Sequence, residues 1–77
     1  MIRVYVNAIG LDVPAGATAL DAVRAWDVAA AEEVADGRKL IADSRGLTAA
    51  PDSPAHGGAI YRVLPVRRRD EPDEPND

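Results

Sequence analysis

The sequence predicts a two-layer α+β domain in which one main helix packs across a mixed sheet of four to five strands. Three observations support this fold class. Apolar and polar residues alternate with period two near both ends of residues 1–66, which is typical of strands. A segment of helical periodicity lies between these predicted strands. A chain of 77 residues is long enough for only one domain. The order strand, strand, helix, strand, loop, strand places the helix over one face of the sheet.

The first two strands are predicted to form an antiparallel hairpin. Residues 2–6 and residues 9–13 each alternate apolar and polar side chains, which is typical of strands with one buried face. Asn7-Ala8 begins the turn between them. Pro14 opens the segment that ends the second strand, because proline cannot continue the hydrogen-bonded ladder.

The central segment carries the signals of a helix. Thr18 is a favourable N-cap, and Asp21 follows it in the first turn. Asp27 is a candidate cap for a second helical stretch, so residues 19–35 form either one helix or two. Gly37 is placed to end the helical region.

The second half of the chain holds the remaining strands. Residues 38–42 predict a short strand, and residues 47–50 predict a brief strand or an extended loop. The last strand is predicted at residues 59–66, after two loops rich in proline and glycine. Residues 1–66 therefore form the predicted domain. Residues 67–77 are predicted to be a disordered charged tail, because they combine prolines and acids with little apolar content.

Composition excludes several classes of protein. The chain has no cysteine, which excludes a disulfide framework and a thiolate metal site and favours a cytoplasmic location. No apolar run reaches the ~18 residues of a membrane span. Residues 1–69 carry nine Lys and Arg against eight Asp and Glu, whereas residues 70–77 carry five acids and no base. A folded part so close to neutrality does not predict nucleic-acid binding.

Four short motifs carry a resemblance to a known family. They are Val4-Tyr5-Val6-Asn7 in the first strand, Val13-Pro14-Ala15-Gly16 before the helix, Thr18-Ala19-Leu20-Asp21-Ala22-Val23 at its start, and His56-Gly57-Gly58-Ala59-Ile60 before the last strand. Together with the element order they resemble the ubiquitin-like β-grasp family, above all the ThiS/MoaD-like sulfur carriers of thiamin and molybdopterin synthesis. The resemblance covers residues 1–66 and implies that the first and last strands pair in parallel at the centre of the sheet.

The functional motif of those carriers is a flexible C-terminal Gly-Gly that a partner enzyme adenylates and then thiocarboxylates. This sequence ends Pro75-Asn76-Asp77, so no catalytic position carries over. Gly57-Gly58 is the only such pair, and we interpret it as a turn. The resemblance therefore implies a non-catalytic β-grasp module. The alternatives are a sulfur-carrier relative that docks on an adenylating enzyme without a usable Gly-Gly and, more weakly, a small-ligand or RNA-binding regulatory domain.

Candidate catalytic groups are few. His56 is the only histidine and lies near Asp52 and Ser53, but all three fall in one short loop bracketed by prolines, which is a poor frame for a catalytic triad. Three acids within residues 32–36 indicate a solvated helix face rather than a calcium site. We therefore predict a non-enzymatic protein without a cofactor or a bound metal.

The last strand gives the main functional indication. If Ile60, Arg62 and Leu64 faced the helix, an arginine would be buried without a predicted partner, so we expect these three side chains on the open face of the sheet. There they would lie beside Arg3 and Tyr5. An exposed apolar patch rimmed by arginine and tyrosine is typical of a protein-binding surface, and we predict a protein partner of unknown identity there.

A second, weaker candidate is the segment Asp43-Ser44-Arg45-Gly46. We interpret it as a turn closed by Asp43, with Gly46 at positive φ. The alternative is that the segment presents Arg45 to a carboxylate or a phosphate.

Overall fold

The computed structural model describes residues 1–66, in which two α-helices pack on one face of a five-stranded mixed sheet. The predicted α+β class is confirmed, while the predicted tail at 67–77 lies outside the described residues. In chain order the elements are β1 (Ile2–Val6), β2 (Ile9–Val13), α1 (Ala19–Trp26), α2 (Val28–Ala35), β3 (Lys39–Ala42), β4 (Thr48–Ala49) and β5 (Ile60–Pro65).

The strands lie in the order β2-β1-β5-β3-β4. β1 pairs antiparallel with β2 and parallel with β5, so the first and last strands are adjacent and parallel, as expected. β5 pairs antiparallel with β3, and β3 pairs antiparallel with the two-residue β4. β5 is shorter at each end than the predicted 59–66, and β3 begins one residue later than predicted.

A two-residue turn joins β1 to β2. Asn7 and Ala8 both have positive φ, at 50° and 72°, a backbone that matches the twist of a hairpin. Asn7 also continues the pairing of β1 with β5 beyond the end of β1. Its N–H donates to the Tyr61 carbonyl at 2.9 Å, and its Oδ1 accepts from the Val63 N–H at 3.0 Å. Asn7 therefore serves both the turn and the central parallel pair.

Two helices of eight residues each cover the sheet, so the alternative of two helices with a break at Asp27 is confirmed and the single main helix of the predicted fold is wrong. Asp27 separates them in an extended conformation, with φ −162° and ψ 114°. Its N–H donates to the Val23 carbonyl and ends α1, while its Oδ1 accepts from the Ala29 N–H at 3.1 Å and begins α2. An aspartate offers the backbone a side-chain acceptor in place of the helical one, which favours a break at this position.

The outer ends of the helical layer match the sequence prediction. At the start of α1, Thr18 Oγ1 accepts from the Asp21 N–H at 3.1 Å and Asp21 Oδ2 accepts from the Thr18 N–H at 3.0 Å, a reciprocal capping box. After α2, Gly37 adopts φ +85° and the Arg38 N–H donates to the Glu33 carbonyl at 2.9 Å. This bond closes the left-handed helix end that glycine allows.

The core lies between the helices and the sheet. Its largest fully buried side chains are Val4, Val6, Val13, Val23 and Ile41. The helices contribute mainly alanines to it, namely Ala19, Ala22, Ala30 and Ala31, so they approach the sheet closely. None of the helices within residues 1–66 has the length and apolar character needed to span a bilayer.

Candidate binding surface on the open sheet face

Alternate residues of β1 and β5 point away from the helices. Val4, Val6 and Tyr61 are buried on the helical side. The alternating residues, which we name the open face, are Arg3, Tyr5, Ile60, Arg62 and Leu64, and all are exposed. The structure therefore places all five predicted residues on one face, with Tyr5 beside Ile60, while Leu64 lies beyond the end of β1 and next to β3.

The register of β5 explains this exposure. Tyr61 is 4% exposed, and Ala59 and Val63 pack against the core, as the sequence predicted for the inward set. The large apolar side chains of the open face remain accessible to solvent, with Tyr5 38%, Ile60 46% and Leu64 38% exposed. Tyr5 and Ile60 are register partners in the parallel pair, so these two side chains form one patch across the strands.

Two further residues on this side of the sheet were missed by sequence reasoning, the half-buried Leu40 and Ala42, which is 4% exposed. Leu40 pairs with Leu64, and Ala42 pairs with Arg62, which places Leu40 and Ala42 on the same side of the sheet as the open face. A signal was present, since Leu40 and Ile41 are adjacent and only one of two neighbouring strand residues can face the helices. Sequence alone did not show which one, because a four-residue strand has too short a pattern.

Arg3 and Tyr5 lean across the neighbouring strand. Arg3 Nε lies 2.9 Å from Asp12 Oδ1 on β2. A Cβ at Gly10, the register partner of Tyr5, would lie 3.1 Å from both Arg3 Nη1 and Tyr5 Cε2. The absence of a side chain at Gly10 thus gives both groups room over β2, and Asp12 balances the charge of Arg3.

Arg62 differs from the other cations of the described region. Residues 1–66 contain six Arg and Lys side chains, and five of them have an acidic oxygen within 4.0 Å. The pairs are Arg3–Asp12, Arg24–Asp21, Arg38–Asp36, Lys39–Glu33 and Arg45–Asp43. Arg62 has no acidic partner among residues 1–66, although it lies between Ile60 and Leu64 on the open face.

The weaker candidate, residues 43–46, forms the predicted turn. Asp43 Oδ1 accepts from the N–H groups of Arg45 and Leu47 at 2.9 and 3.0 Å, and Gly46 has φ +83°. Asp43 Oδ2 accepts from Arg45 Nη2 at 3.0 Å. The Arg45 guanidinium, followed by the Leu47 N–H, lowers the pKa of Asp43 below its ordinary value. The side chain of Arg45 is nevertheless 75% exposed.

Ser53 and Glu33, from the loop and the acidic segment, make local structural contacts. Ser53 Oγ donates to the Ala50 carbonyl at 2.7 Å, and within residues 1–66 no hydrogen bond joins Ser53 to His56. In the acidic segment 32–36, Glu33 pairs with Lys39 at 3.4 Å. The first contact stabilises the loop at residues 50–53, and the second links the end of α2 to β3.

No model of a known protein family matches the chain, and no curated protein or solved structure matches it either. The resemblance to the β-grasp sulfur carriers therefore stays a prediction. What the open face binds has to be inferred from its own chemistry.

Proposed function

We propose that this protein is a non-catalytic ubiquitin-like β-grasp module that binds a protein partner through the open face. The observation that carries the proposal is Arg62, an arginine with no acidic partner among residues 1–66, set between the exposed side chains of Ile60 and Leu64. The assignment to the β-grasp fold is supported by the amino-terminal hairpin, the helical crossover and the parallel pairing of β1 with β5.

The apolar part of the face is large enough to contribute to binding. Burying an exposed Leu or Ile side chain completely contributes about 1.5–3 kcal/mol, so covering the exposed fractions of Ile60, Leu64 and Tyr5 contributes roughly 1 kcal/mol per side chain. Tyrosine and arginine are also the residue types most often found to dominate interfaces. The open face therefore combines a modest apolar contact area with an arginine whose hydrogen bonds can orient a partner.

The guanidinium of Arg62 indicates which chemical groups the proposed partner carries. Residues two apart on one face of a strand are about 7 Å apart, so a partner segment that matches this face carries a carboxylate flanked by two aliphatic side chains. A guanidinium binds a carboxylate through two parallel hydrogen bonds, which are stronger than bonds between neutral groups. The proposed partner is thus an acidic segment with aliphatic neighbours in another protein.

Two other occupants fit less well. Residues 67–77 of this chain carry five acids, but prolines are their only apolar residues, so they offer little to cover Ile60 and Leu64. A second copy of the chain would bring Arg62 of each open face toward another arginine-bearing face, which like-charge repulsion disfavours. A separate acidic partner can supply both a carboxylate for Arg62 and aliphatic side chains that cover Ile60 and Leu64.

Selection from a displayed library of random peptides tests this proposal. We expect the enriched peptides to contain an acidic residue beside aliphatic residues and to lose binding to the double variant Ile60→Asp/Leu64→Asp. Val28→Asp is a matched control, since Val28 is 56% exposed and lies in the helical layer. Binding that persists in the double variant, with an unchanged circular dichroism spectrum, would show that the open face is not the binding surface.

A further inference from the structure

A pocket of about 390 Å³ lies beside the turn at residues 43–46, near the start of β5. One wall is this turn, and the other is the loop that leads into β5. The side chains that matter for its chemistry are Ser44, Arg45, Ser53, His56, Ile60 and Tyr61. The pocket thus unites the predicted loop candidate, Arg45, with a histidine that sequence reasoning had set aside.

Both walls are held by hydrogen bonds within the domain. The loop is tied to the rest of the fold where the Ala55 N–H donates to the Ala17 carbonyl at 2.8 Å and the Gly58 N–H donates to the Arg3 carbonyl at 2.8 Å. The turn is closed by the carboxylate of Asp43. A pocket with both walls fixed requires little ordering when a ligand enters, which favours affinity.

Tyr61 supplies an independent indication of a ligand. The residue as a whole is 4% exposed and lines the pocket, and no hydrogen bond within residues 1–66 involves its hydroxyl. A tyrosine hydroxyl in a largely buried residue ordinarily has a partner, so this one is available to a ligand or to water. Burial raises the pKa of Tyr61 above its ordinary value. A tyrosine hydroxyl is protonated at neutral pH in any case and can donate a hydrogen bond.

The polar groups of the pocket that remain available include several donors. Asp43 is the acid in its lining, and its carboxylate already accepts three hydrogen bonds. Arg45 donates from one guanidinium nitrogen to Asp43, which orients the group, and its other N–H donors make no hydrogen bond among residues 1–66. The hydroxyls of Ser44 and Tyr61 and the imidazole of His56 can each donate a hydrogen bond. A set of donors around an arginine is suited to an oxyanion.

We propose that this pocket binds the oxyanion group of a small molecule, either a phosphate or a carboxylate, with Arg45 as its main contact. Ile60 and Ala59 offer an apolar wall for the body of that molecule. The proposal is separate from the role of the open face, since the two depend on different arginines, although Ile60 borders both surfaces.

Amide-detected NMR titration of the full chain tests the proposal, with inorganic phosphate and propionate as probes and sodium chloride of equal ionic strength as the control. We expect saturable shifts at Ser44, Arg45 and His56 with at least one probe. Phosphate alone would identify a phosphate site, and propionate alone a carboxylate site. Shifts that grow linearly, or that appear equally at every arginine, would overturn the proposal.

Two variants sharpen the test. Arg45→Gln is expected to weaken binding by about tenfold or more, as expected for loss of a charge-assisted bond. Arg24→Gln is the matched control, because Arg24 is also exposed and paired with an aspartate but lies on α1. Tyr61→Phe is expected to weaken binding severalfold with the amide spectrum otherwise preserved. Equal affinity in wild type and Arg45→Gln would contradict the assignment.

Discussion

The turn between β1 and β2 places two residues that carry a Cβ in the left-handed region of backbone space. Asparagine tolerates this conformation at position 7, but alanine at position 8, with φ +72°, has no side-chain group to offset the strain. A left-handed residue other than glycine costs roughly 1–2 kcal/mol. Glycine would relieve that cost but would add about 0.4–1 kcal/mol of chain entropy in the unfolded state.

We therefore expect Ala8→Gly to raise the free energy of unfolding by about 0.5–1 kcal/mol, the difference between these two terms. For a domain of this size the change corresponds to an increase in Tm of roughly 2–8 °C. Thermal and urea unfolding followed by circular dichroism measure both quantities. The increase would show that the turn strains the backbone at position 8.

Ala15→Gly is the matched control. Ala15 is exposed and lies in the turn after β2, but it is not among the residues with positive φ. There glycine adds only unfolded-state entropy, so the same substitution is expected to lower Tm. If Ala8→Gly were no more stable than wild type, or fell as far as Ala15→Gly, the account of the turn would be wrong.

Three further predictions concern the contacts that hold the elements together. Asn7→Gly keeps the turn but removes the acceptor of the Val63 N–H, so we expect a loss of roughly 1–2 kcal/mol and faster hydrogen exchange at the Val63 amide. Thr18→Ala is expected to cost about 1 kcal/mol in urea unfolding, while Thr18→Ser retains most of the cap. Asp21 and Asp43 have pKa values lowered from 3.8, chiefly by the Thr18 N–H and by the Arg45 side chain respectively. The stability that these two ionised carboxylates give the fold is therefore complete above pH 3.8, and it is lost as the pH falls through their lowered pKa values in the folded state. In the double variant Asp21→Asn/Asp43→Asn, Tm should fall less steeply at acid pH than in wild type.

Sequence reasoning succeeded where the signal is local. The period-two pattern identified β1 and β2, and the pairing of Thr18 with Asp21 three residues on identified the start of α1. The inward set of β5 followed from the cost of burying Arg62. These features depend on neighbours in sequence, and local chemistry is enough to predict them.

It was incomplete where two local arrangements suit the same residues and where distant contacts decide. The break at Asp27 depends on whether a side chain or a backbone carbonyl satisfies the next N–H groups, and both arrangements suit the residues around it. The place of Leu40 on the open face depends on the pairing of β3 with β5. The pocket requires the turn at 43–46 to meet a loop about ten residues further along the chain, and no pattern in either segment indicates this.

The most direct test of the proposed binding role is a double-mutant cycle between Arg62 and the carboxylate of a selected peptide. Calorimetry would compare wild type and Arg62→Gln, each with the peptide and with its Glu→Gln or Asp→Asn form. A protein that binds through the open face should show a coupling of about tenfold in Kd, or ~1.4 kcal/mol, together with amide shifts at Ile60 and Leu64. A coupling near zero, or shifts confined to the helical layer, would contradict the assignment of the open face.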